Sequence, residues 1–237
     1  MKNNIKRILI KLSGEALSSG SISGVFDFPT IKKICTNVKN VLDNGVKVSI
    51  VVGGGNIVRG RELINGEVIK RRETADSVGM LATSVNGLLL AEMFYGLSVD
   101  TAVLAPISMP FGIGNSNARE IEENNEKLII FVCGAGMPYF STDTISVINA
   151  IRTKSDVLLK ATNVDGVYNK DPKKHSDAIH IPSISYKRAL QENITVMDRA
   201  SFAIAEENDL PIMIFSIKEE NCFLNVLNGD LKHSIIL

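Results

Sequence analysis

Residues 7–17 read RILIKLSGEAL, and this stretch decides how the chain begins to fold. The apolar run Ile8–Leu12 predicts a β-strand, yet it contains Lys11 and is followed at once by Ser13 and Gly14. An ammonium group is costly to bury without a partner. The stretch therefore predicts a strand near whose end Lys11 either leaves the core or meets an anion.

The rest of the chain alternates short apolar runs with amphipathic segments. Further strands are predicted at Val46–Val52, Val99–Ala105, Lys127–Cys133, Asp156–Ala161 and Ile212–Phe215, with a last edge strand in the tail HSIIL. Helices are predicted around Ile31–Leu42, Val78–Phe94, Thr142–Arg152 and Asp198–Asn208. This alternation indicates an α/β fold with a largely parallel sheet covered on both faces. No linker or repeat interrupts the pattern, so residues 1–237 are predicted to form a single domain, with 163–185 as an irregular, mobile flap.

Composition narrows the classes of function. The 237 residues are 45% hydrophobic and 22% charged, and the formal net charge is zero. No global positive field is therefore expected to attract nucleic acid or acidic lipid. No run reaches the roughly 18 apolar residues of a membrane span, and the N-terminus does not resemble a signal peptide. We expect a cytoplasmic protein without a nucleic-acid or membrane partner.

Cysteine and histidine patterns give no sign of a metal site. Cys35, Cys133 and Cys222 are far apart and show no zinc-type spacing. They are predicted to be buried free thiols in a reducing compartment. The three histidines are scattered without a ligand pattern, so no metal held by protein residues is expected.

Four turns that follow predicted strands carry glycine, serine or threonine: Lys11–Gly14, Gly53–Asn56, Gly134–Gly136 and Thr162–Gly166. In open α/β sheets, ligands bind beyond the carboxyl ends of the strands, so these turns would meet at one edge. Glycine lets backbone N–H groups approach an anion, although in turns it also serves simply by adopting positive φ. Together with Lys11 and Arg59, the four turns favour phosphate chemistry. Neither G-x-x-x-x-G-K-[ST] nor G-x-G-x-x-G is present, so phosphate would be bound in a different way.

Six longer stretches carry a family resemblance: KLSGEAL, VVGGGNIVRG, ADSVGMLAT, MPYFSTD, LLKATNVDGVY followed by KDP, and VMDRASFAIA. From about Lys6 to the C-terminus the chain resembles the bacterial uridylate kinase (UMP kinase) family of the amino-acid-kinase superfamily. The resemblance implies a three-layer αβα sandwich with a largely parallel central sheet of about eight strands. It also implies a homohexamer that transfers the γ-phosphoryl group of ATP to UMP in pyrimidine nucleotide biosynthesis.

The resemblance implies roles for individual residues. The ATP phosphates would face Lys11, Leu12, Ser13 and Gly14, the UMP phosphate would meet Gly54, and Gly55 and Arg59 would lie between the phosphate groups. Asp76 would accept hydrogen bonds from the UMP ribose. The uracil and its sugar would be wrapped by Ala135, Gly136, Met137, Pro138, Tyr139, Phe140, Ser141 and Thr142. The adenosine end of ATP would be held by Thr162, Asn163, Tyr168 and Asp171. Mg²⁺ would be carried by the nucleotide, and UTP would inhibit by occupying the UMP site.

The charged candidates have both catalytic and simpler interpretations. Lys11 and Arg59 would offset the repulsion between two anionic substrates and stabilise the transferring phosphoryl group. Asp143 and Asp198 resemble acidic positions near that group and complete the catalytic candidates. In the simpler interpretations, Asp198 caps a helix, Asp143 is a turn or cap carboxylate, and Arg59 forms a surface salt bridge.

The predicted helix Val78–Phe94 bears on assembly. Val78, Leu81, Val85, Leu88 and Leu89 form one apolar stripe, and Met80, Leu90, Met93 and Phe94 lie off it. A helix that is apolar nearly all round needs cover on two sides, and the sheet of one subunit covers only one. The helix therefore favours a symmetric homo-oligomer.

The sequence departs from the family pattern at two places. The loop Ser18–Asp27 lacks the G-F-G signature that the family ties to GTP, so weak or absent activation by GTP is expected. The segment GAGMP replaces G-T-G-N-P, so some base contacts would come from the backbone alone.

The sequence leaves two rival functions open. One is a kinase of the same superfamily with an amino acid, carbamate or isoprenoid phosphate as acceptor, and the other is a non-catalytic nucleotide- or oxyanion-binding assembly protein. Asp76 favours a nucleotide acceptor, and Lys11 with Arg59 favours catalysis.

Overall fold

A computed structural model of the chain describes residues 5–18, 24–172 and 174–237. The serines at 19, 21 and 23, on which the expectation about GTP rests, lie outside these residues. The strands are β1 (Arg7–Leu12), β2 (Lys47–Val52), β3 (Thr101–Ala105), β4 (Gly114–Asn115), β5 (Leu128–Phe131), β6 (Val157–Thr162), β7 (Val167–Tyr168), β8 (His180–Ile181), β9 (Ser183–Ile184), β10 (Ile212–Ser216) and β11 (His233–Ile236).

The main sheet of the described chain has nine strands in the order β4-β3-β5-β2-β1-β6-β10-β11-β9, rather than the eight or so that were expected. All neighbouring pairs are parallel except β10 with β11. The prediction that the C-terminal strand is an edge strand is wrong. Residues Ile235 and Ile236 pair with the two-residue strand β9, which forms the edge instead.

The helices cover both faces of the sheet. They are α1 (Phe28–Asp43), α2 (Gly60–Asn65), α3 (Arg72–Tyr95), α4 (Ala118–Glu123), α5 (Thr142–Arg152), α6 (Tyr186–Gln191), α7 (Arg199–Glu207) and α8 (Cys222–Asn228). One hydrophobic cluster joins the sheet to α1, α3 and α8, and a second joins its other face to α4, α5, α6 and α7. These three layers are the predicted αβα sandwich.

Strand alternation decides where Lys11 points. Successive side chains of a strand point to opposite faces, so Lys11 shares a face with Leu9. Leu9 belongs to the cluster beneath α5 and α7, whereas Ile8 and Ile10 belong to the cluster beneath α1 and α3. Lys11 therefore leaves the apolar core on the side of α5.

The inner face of α3 differs from what apolar spacing alone suggests. Leu81 and Val85 of the expected stripe are 55% and 51% exposed, whereas Leu90 and Phe94 are buried against the sheet. Gly87 allows the close approach, because a Cβ atom there would lie 2.2 Å from Val132 Cγ1. The helix is long and apolar enough, by length and composition alone, to cross a membrane. Here its inner face packs on the sheet, as core helices do.

The stretch predicted as an irregular flap is more regular than expected in its described part. Strands β7 and β8 form an antiparallel pair, and β9 joins the main sheet. Val167 is buried, and its N–H donates to Ser234 Oγ at 2.8 Å. This hydrogen bond ties the hairpin to the C-terminal strand.

Candidate active site

Four turns were predicted to meet at one edge of the sheet. Those after β1, β2 and β5 enclose a cavity of about 520 Å³ with α3, whereas the turn after β6 does not line it. Many of the predicted site residues line it: Lys11, Ser13, Gly14, Gly54, Gly55, Arg59, Asp76, Met137, Phe140, Ser141, Thr142 and Asp143. Leu12 is fully buried, so only its backbone is available to a ligand. Residues far apart in the sequence thus share one concave site.

Two lysines and one carboxylate form the charged centre of this site. Lys11 and Lys160 are directly opposite each other on the parallel strands β1 and β6. Lys11 Nζ lies 3.2 Å from Asp143 Oδ1, and Lys160 Nζ lies 2.7 Å from Asp143 Oδ2. Like charges at opposed positions on neighbouring strands repel, and the carboxylate between them offsets that repulsion. Asp143 therefore has a larger role than a turn carboxylate.

Burial perturbs the ionisation of this centre. Burial lowers the pKa of Lys160 to about 8, although the nearby Asp143 carboxylate partly opposes the effect. Burial raises the pKa of Asp143, but the positive charges of Lys11 and Lys160 outweigh this effect and hold the pKa below its usual range. The cluster thus keeps a carboxylate ionised in a largely buried position, with two ammonium groups against it.

Lys160 is the functional candidate that sequence reasoning missed. The signal was available, because LLKAT places a lysine inside an apolar strand in the same way as RILIKL does. The cost of burying an ammonium group applied equally to both. Lys160 Nζ donates to the Val196 carbonyl as well as to Asp143, and its side chain is only 8% exposed.

Asp198 occupies the cap position that was its simpler interpretation. It is the N-cap of α7, where Oδ1 accepts a hydrogen bond from the Ser201 N–H at 2.9 Å. The same carboxylate accepts hydrogen bonds from Ser141 and Thr144 at the start of α5. It therefore joins the starts of two helices beside the cavity and does not line the cavity itself.

The simpler interpretation of Arg59 was a surface salt bridge. Arg59 does form an ion pair, but both it and its partner Glu15 line the cavity. Its Nη2 lies 2.6 Å from Glu15 Oε1, and its Nη1 lies 3.4 Å from Glu62 Oε1. A Cβ atom on Gly55 would lie 2.2 Å from Glu15 Oε1, so the Glu15 carboxylate rests on that glycine. Gly55 and Arg59, the pair assigned to the phosphates, both contact Glu15.

The glycines of the site have two different roles. Those after β1 and β2 allow two turns to pack closely, and those after β5 adopt positive φ. A Cβ atom on Gly14 would lie 2.4 Å from the Gly55 nitrogen, and one on Gly54 would lie 2.8 Å from the Gly79 oxygen. Gly134 and Gly136 instead have φ of 54° and 72°. Glycine in the first two turns is thus required because those turns pack against each other and against α3.

The segment assigned to uracil and ribose lies beside Asp76. Asp76 Oδ2 accepts a hydrogen bond from the Tyr139 N–H at 2.9 Å and lies 3.6 Å from Arg72 Nε. The Arg72 guanidinium lies 4.8 Å from the centre of the Tyr139 ring, and Tyr139 has a φ of 74°. Ala135 lines a neighbouring apolar cavity of about 250 Å³ with Met137 and Phe140. Gly136 and Pro138 lie within the same segment.

The residues assigned to adenosine are only partly brought together. Tyr168 and Asp171 line a separate cavity of about 400 Å³, opposite residues 192–196, which sequence reasoning did not select. Thr162 Oγ1 shapes the turn through hydrogen bonds with the backbone of Val164. Asn163 instead lines a cavity of about 240 Å³ next to Glu15.

Comparison with known proteins identifies the family. The sequence profile of the amino acid kinase family matches residues 6–216. The chain belongs to this family. The uridylate kinase of Rickettsia conorii (strain ATCC VR-613 / Malish 7) is 44% identical over 234 residues, which cover 98% of this chain and 95% of the relative.

Solved structures lead to the same group within this family. The UMP kinase of Ureaplasma parvum aligns with a TM-score of 0.92 and 36% identity over 99% of both chains. The UMP kinase of Bacillus anthracis aligns with the same TM-score and 32% identity, over 99% of this chain and 96% of its own. The resemblance inferred from the sequence motifs is confirmed, and so is the α/β fold with its mostly parallel sheet.

Proposed function

We propose that the protein is a UMP kinase, which transfers the γ-phosphoryl group of ATP to UMP and yields ADP and UDP. The observation that carries this proposal is the Lys11–Asp143–Lys160 cluster at the edge of a cavity that also holds Arg59 and Asp76. The cations would bind the phosphates of a donor, and the Asp76 carboxylate lies beside residues 135–142, which are assigned to uracil and ribose. The cavity therefore suits a phosphate donor and a nucleotide acceptor. We also propose that the reaction serves pyrimidine nucleotide biosynthesis in the cytoplasm and is carried out by a single domain.

The chemistry requires positioning and charge neutralisation. A phosphate oxygen of UMP attacks the γ-phosphorus of ATP, and the bond from that phosphorus to the bridging β–γ oxygen breaks, with its electron pair leaving on ADP. The attacking oxygen is already anionic, so no general base is needed. Lys11, Lys160 and Arg59 would stabilise the charge on the transferring group. Arg59 can bind phosphate bidentately once it releases Glu15.

Magnesium would accompany the nucleotide. Mg²⁺ retains waters and binds substrate phosphates with few protein ligands. The described residues contain no cluster of three or more His, Cys, Asp or Glu able to enclose a metal ion. Bound to ATP, the ion would neutralise part of the phosphate charge.

A substrate comparison tests the proposed function. ADP formation from ATP is measured with UMP, CMP, dUMP and AMP as acceptors. We expect UMP to be preferred, with kcat/KM for dUMP lower by about tenfold or more, because Asp76 would lose a ribose hydroxyl and an unmatched polar group costs about 1–3 kcal/mol. Asp76→Asn should narrow the difference in kcat/KM between UMP and dUMP, whereas the control Glu92→Gln, at an exposed position on the same helix, should preserve it. Failure to phosphorylate UMP would refute the function, and equal use of UMP and dUMP would refute the role of Asp76.

UTP is proposed as a feedback inhibitor. It carries the same uracil and ribose as UMP, so Asp76 and residues 135–142 would accept it in the UMP site. In the same assay, inhibition that is competitive with UMP is the expected pattern. Inhibition that is independent of the UMP concentration would contradict this proposal.

We also propose a symmetric homo-oligomer, with a hexamer built from dimers as the assembly. Leu81, Val85 and Tyr95 are exposed apolar residues on α3, at 55%, 51% and 76%. Light scattering should give about 155 kDa, six times the chain mass of 25.8 kDa. Leu81→Glu should lower this mass, whereas Val68→Glu, at an exposed apolar residue outside the helix, should leave it unchanged. A monomeric mass for the unaltered protein at micromolar concentration would contradict the proposal.

A further inference from the structure

Two asparagines behind the phosphate-facing turns form a reciprocal amide pair. Asn86, fully buried on the inner face of α3, donates from Nδ2 to the Gly53 carbonyl at 2.6 Å and to Asn56 Oδ1 at 2.7 Å. Asn56 donates from Nδ2 to Asn86 Oδ1 at 3.1 Å and to the Val25 carbonyl at 3.1 Å. Both N–H groups of each amide are used, and each side-chain oxygen accepts one hydrogen bond.

The pair connects three separate pieces of the chain. Asn56 follows the triple glycine after β2, and Val25 lies just before α1. Asn56 also packs on the turn after β1, since a Cβ atom on Gly14 would lie 2.6 Å from Asn56 Oδ1. The pair therefore contacts both of the turns to which phosphates are assigned.

The same face of α3 also anchors the end of β5. Thr83, one helical turn before Asn86, accepts a hydrogen bond at its Oγ1 from the Cys133 N–H at 2.7 Å. Cys133 has a φ of 60°, and Gly134 follows it into the cavity. Polar side chains on the inner face of α3 thus hold the starts of two turns that build the site.

We propose that Asn56 and Asn86 are positioning residues for phosphoryl transfer, which set the spacing between the turn at Gly14 and the turn at Gly53–Gly55. The proposal rests on the proposed function, in which these turns hold the phosphates of the two nucleotides. Fully satisfied buried amide networks rigidify the backbone that they contact. A misplacement of about 1 Å between reacting groups can cost on the order of 100-fold in rate. Neither asparagine lines the cavity that these turns enclose.

The test compares two neutral truncations with a matched control. Asn56→Ala and Asn86→Ala each remove the pair without adding charge near the phosphates. Asn225→Ala is the control, because Asn225 is also a helix asparagine, whose Nδ2 donates to the Glu220 carbonyl at 3.0 Å at the start of α8, and it does not line the site cavity. For each variant kcat, KM for UMP, KM for ATP and the thermal midpoint are measured.

We expect both pair variants to lose about 10- to 100-fold in kcat, with smaller changes in KM, while Asn225→Ala loses thermal stability but retains kcat. The double variant should be no slower than the slower single variant, because both truncations break one pair. The proposal would be overturned if both pair variants kept kcat within threefold of the value for the unaltered protein and showed only a lowered thermal midpoint. The pair would then have a structural role alone. Asn56 is only half-buried, so Asn56→Ala carries the test if Asn86→Ala does not fold. If the unaltered protein does not phosphorylate UMP at all, the proposed function fails instead.

Discussion

Lys11→Ala is expected to lower kcat for UMP phosphorylation by on the order of 100-fold or more, while the protein remains folded. Lys11 Nζ is one of two ammonium groups that Asp143 holds beside the site, and removal of a cation that stabilises transition-state charge has effects of about this size. The fold should survive because Asp143 keeps its ion pair with Lys160. Steady-state kinetics on the purified variant, with circular dichroism to verify folding, provides the measurement.

A surface lysine provides the control for this prediction. Lys39 pairs with Asp43 at 2.7 Å on α1, and its side chain is 34% exposed. Lys39→Ala should leave kcat unchanged, since an exposed ion pair contributes about 0–1 kcal/mol to stability and the residue lies outside the site. A folded Lys11→Ala variant with a kcat close to that of Lys39→Ala would rule out the role assigned to Lys11.

Asp143→Asn is expected to reduce both activity and stability. Without the carboxylate, Lys11 and Lys160 face each other across β1 and β6 with no charge between them. Loss of one partner from a buried ion pair costs roughly 3–5 kcal/mol, so the thermal midpoint should fall by several degrees. With the lysines displaced, kcat should fall by about 100-fold.

The pH dependence of Asp143→Asn gives this prediction a second readout. Burial already lowers the pKa of Lys160 to about 8, and Asp143 raises it, so the pKa of Lys160 should fall further in the variant. A lysine loses its positive charge above its pKa, so the activity of the variant should decline at a lower pH than that of the unaltered protein. Rates measured between about pH 6 and pH 9 would reveal this shift.

A carboxylate at the opposite end of the same strands serves as the control. Asp156 accepts hydrogen bonds from the backbone N–H groups of Lys6 and Arg7, where β1 begins. Asp156→Asn should therefore lower stability without changing the pH profile. Identical pH profiles for the unaltered protein and Asp143→Asn, with kcat preserved, would show that Asp143 does not organise the lysines.

Periodicity predicted the longer helices and most strands of the main sheet well, but it missed many of the short elements. The helix predicted at Thr142–Arg152 is α5, with the predicted bounds, and β1, β2, β6 and β10 lie within a residue or so of their predictions. The short elements β4, β7, β8, β9, α2, α4, α6 and α8 were not predicted. Segments of two to seven residues carry little pattern, and tertiary hydrogen bonds, such as those between β9 and β11, stabilise them.

The glycine-rich turns show how far local reasoning about the site could reach. The sequence indicated correctly that these turns meet at one sheet edge, because parallel strands align their carboxyl ends. It could not indicate that Gly14 and Gly55 are required for the packing of one turn on the other. Nor could it indicate that Glu15 rests on Gly55 and pairs with Arg59, because that contact depends on how two strands sit side by side.

The local features of this protein can be read from its sequence: the strands, the long helices, the glycine-rich turns and the lysine near the end of β1. These follow from hydrogen bonding, side-chain periodicity and backbone sterics, which act over a few residues. Three features of the site come from tertiary packing instead: Lys160 lies opposite Lys11, Asp143 lies between them, and Asn86 rather than Leu81 faces inward on α3. These features depend on the register between strands that are distant in sequence and on the burial of a polar side chain whose hydrogen bonds are all satisfied. Both are set by long-range packing, so neither produces a periodic pattern in the sequence.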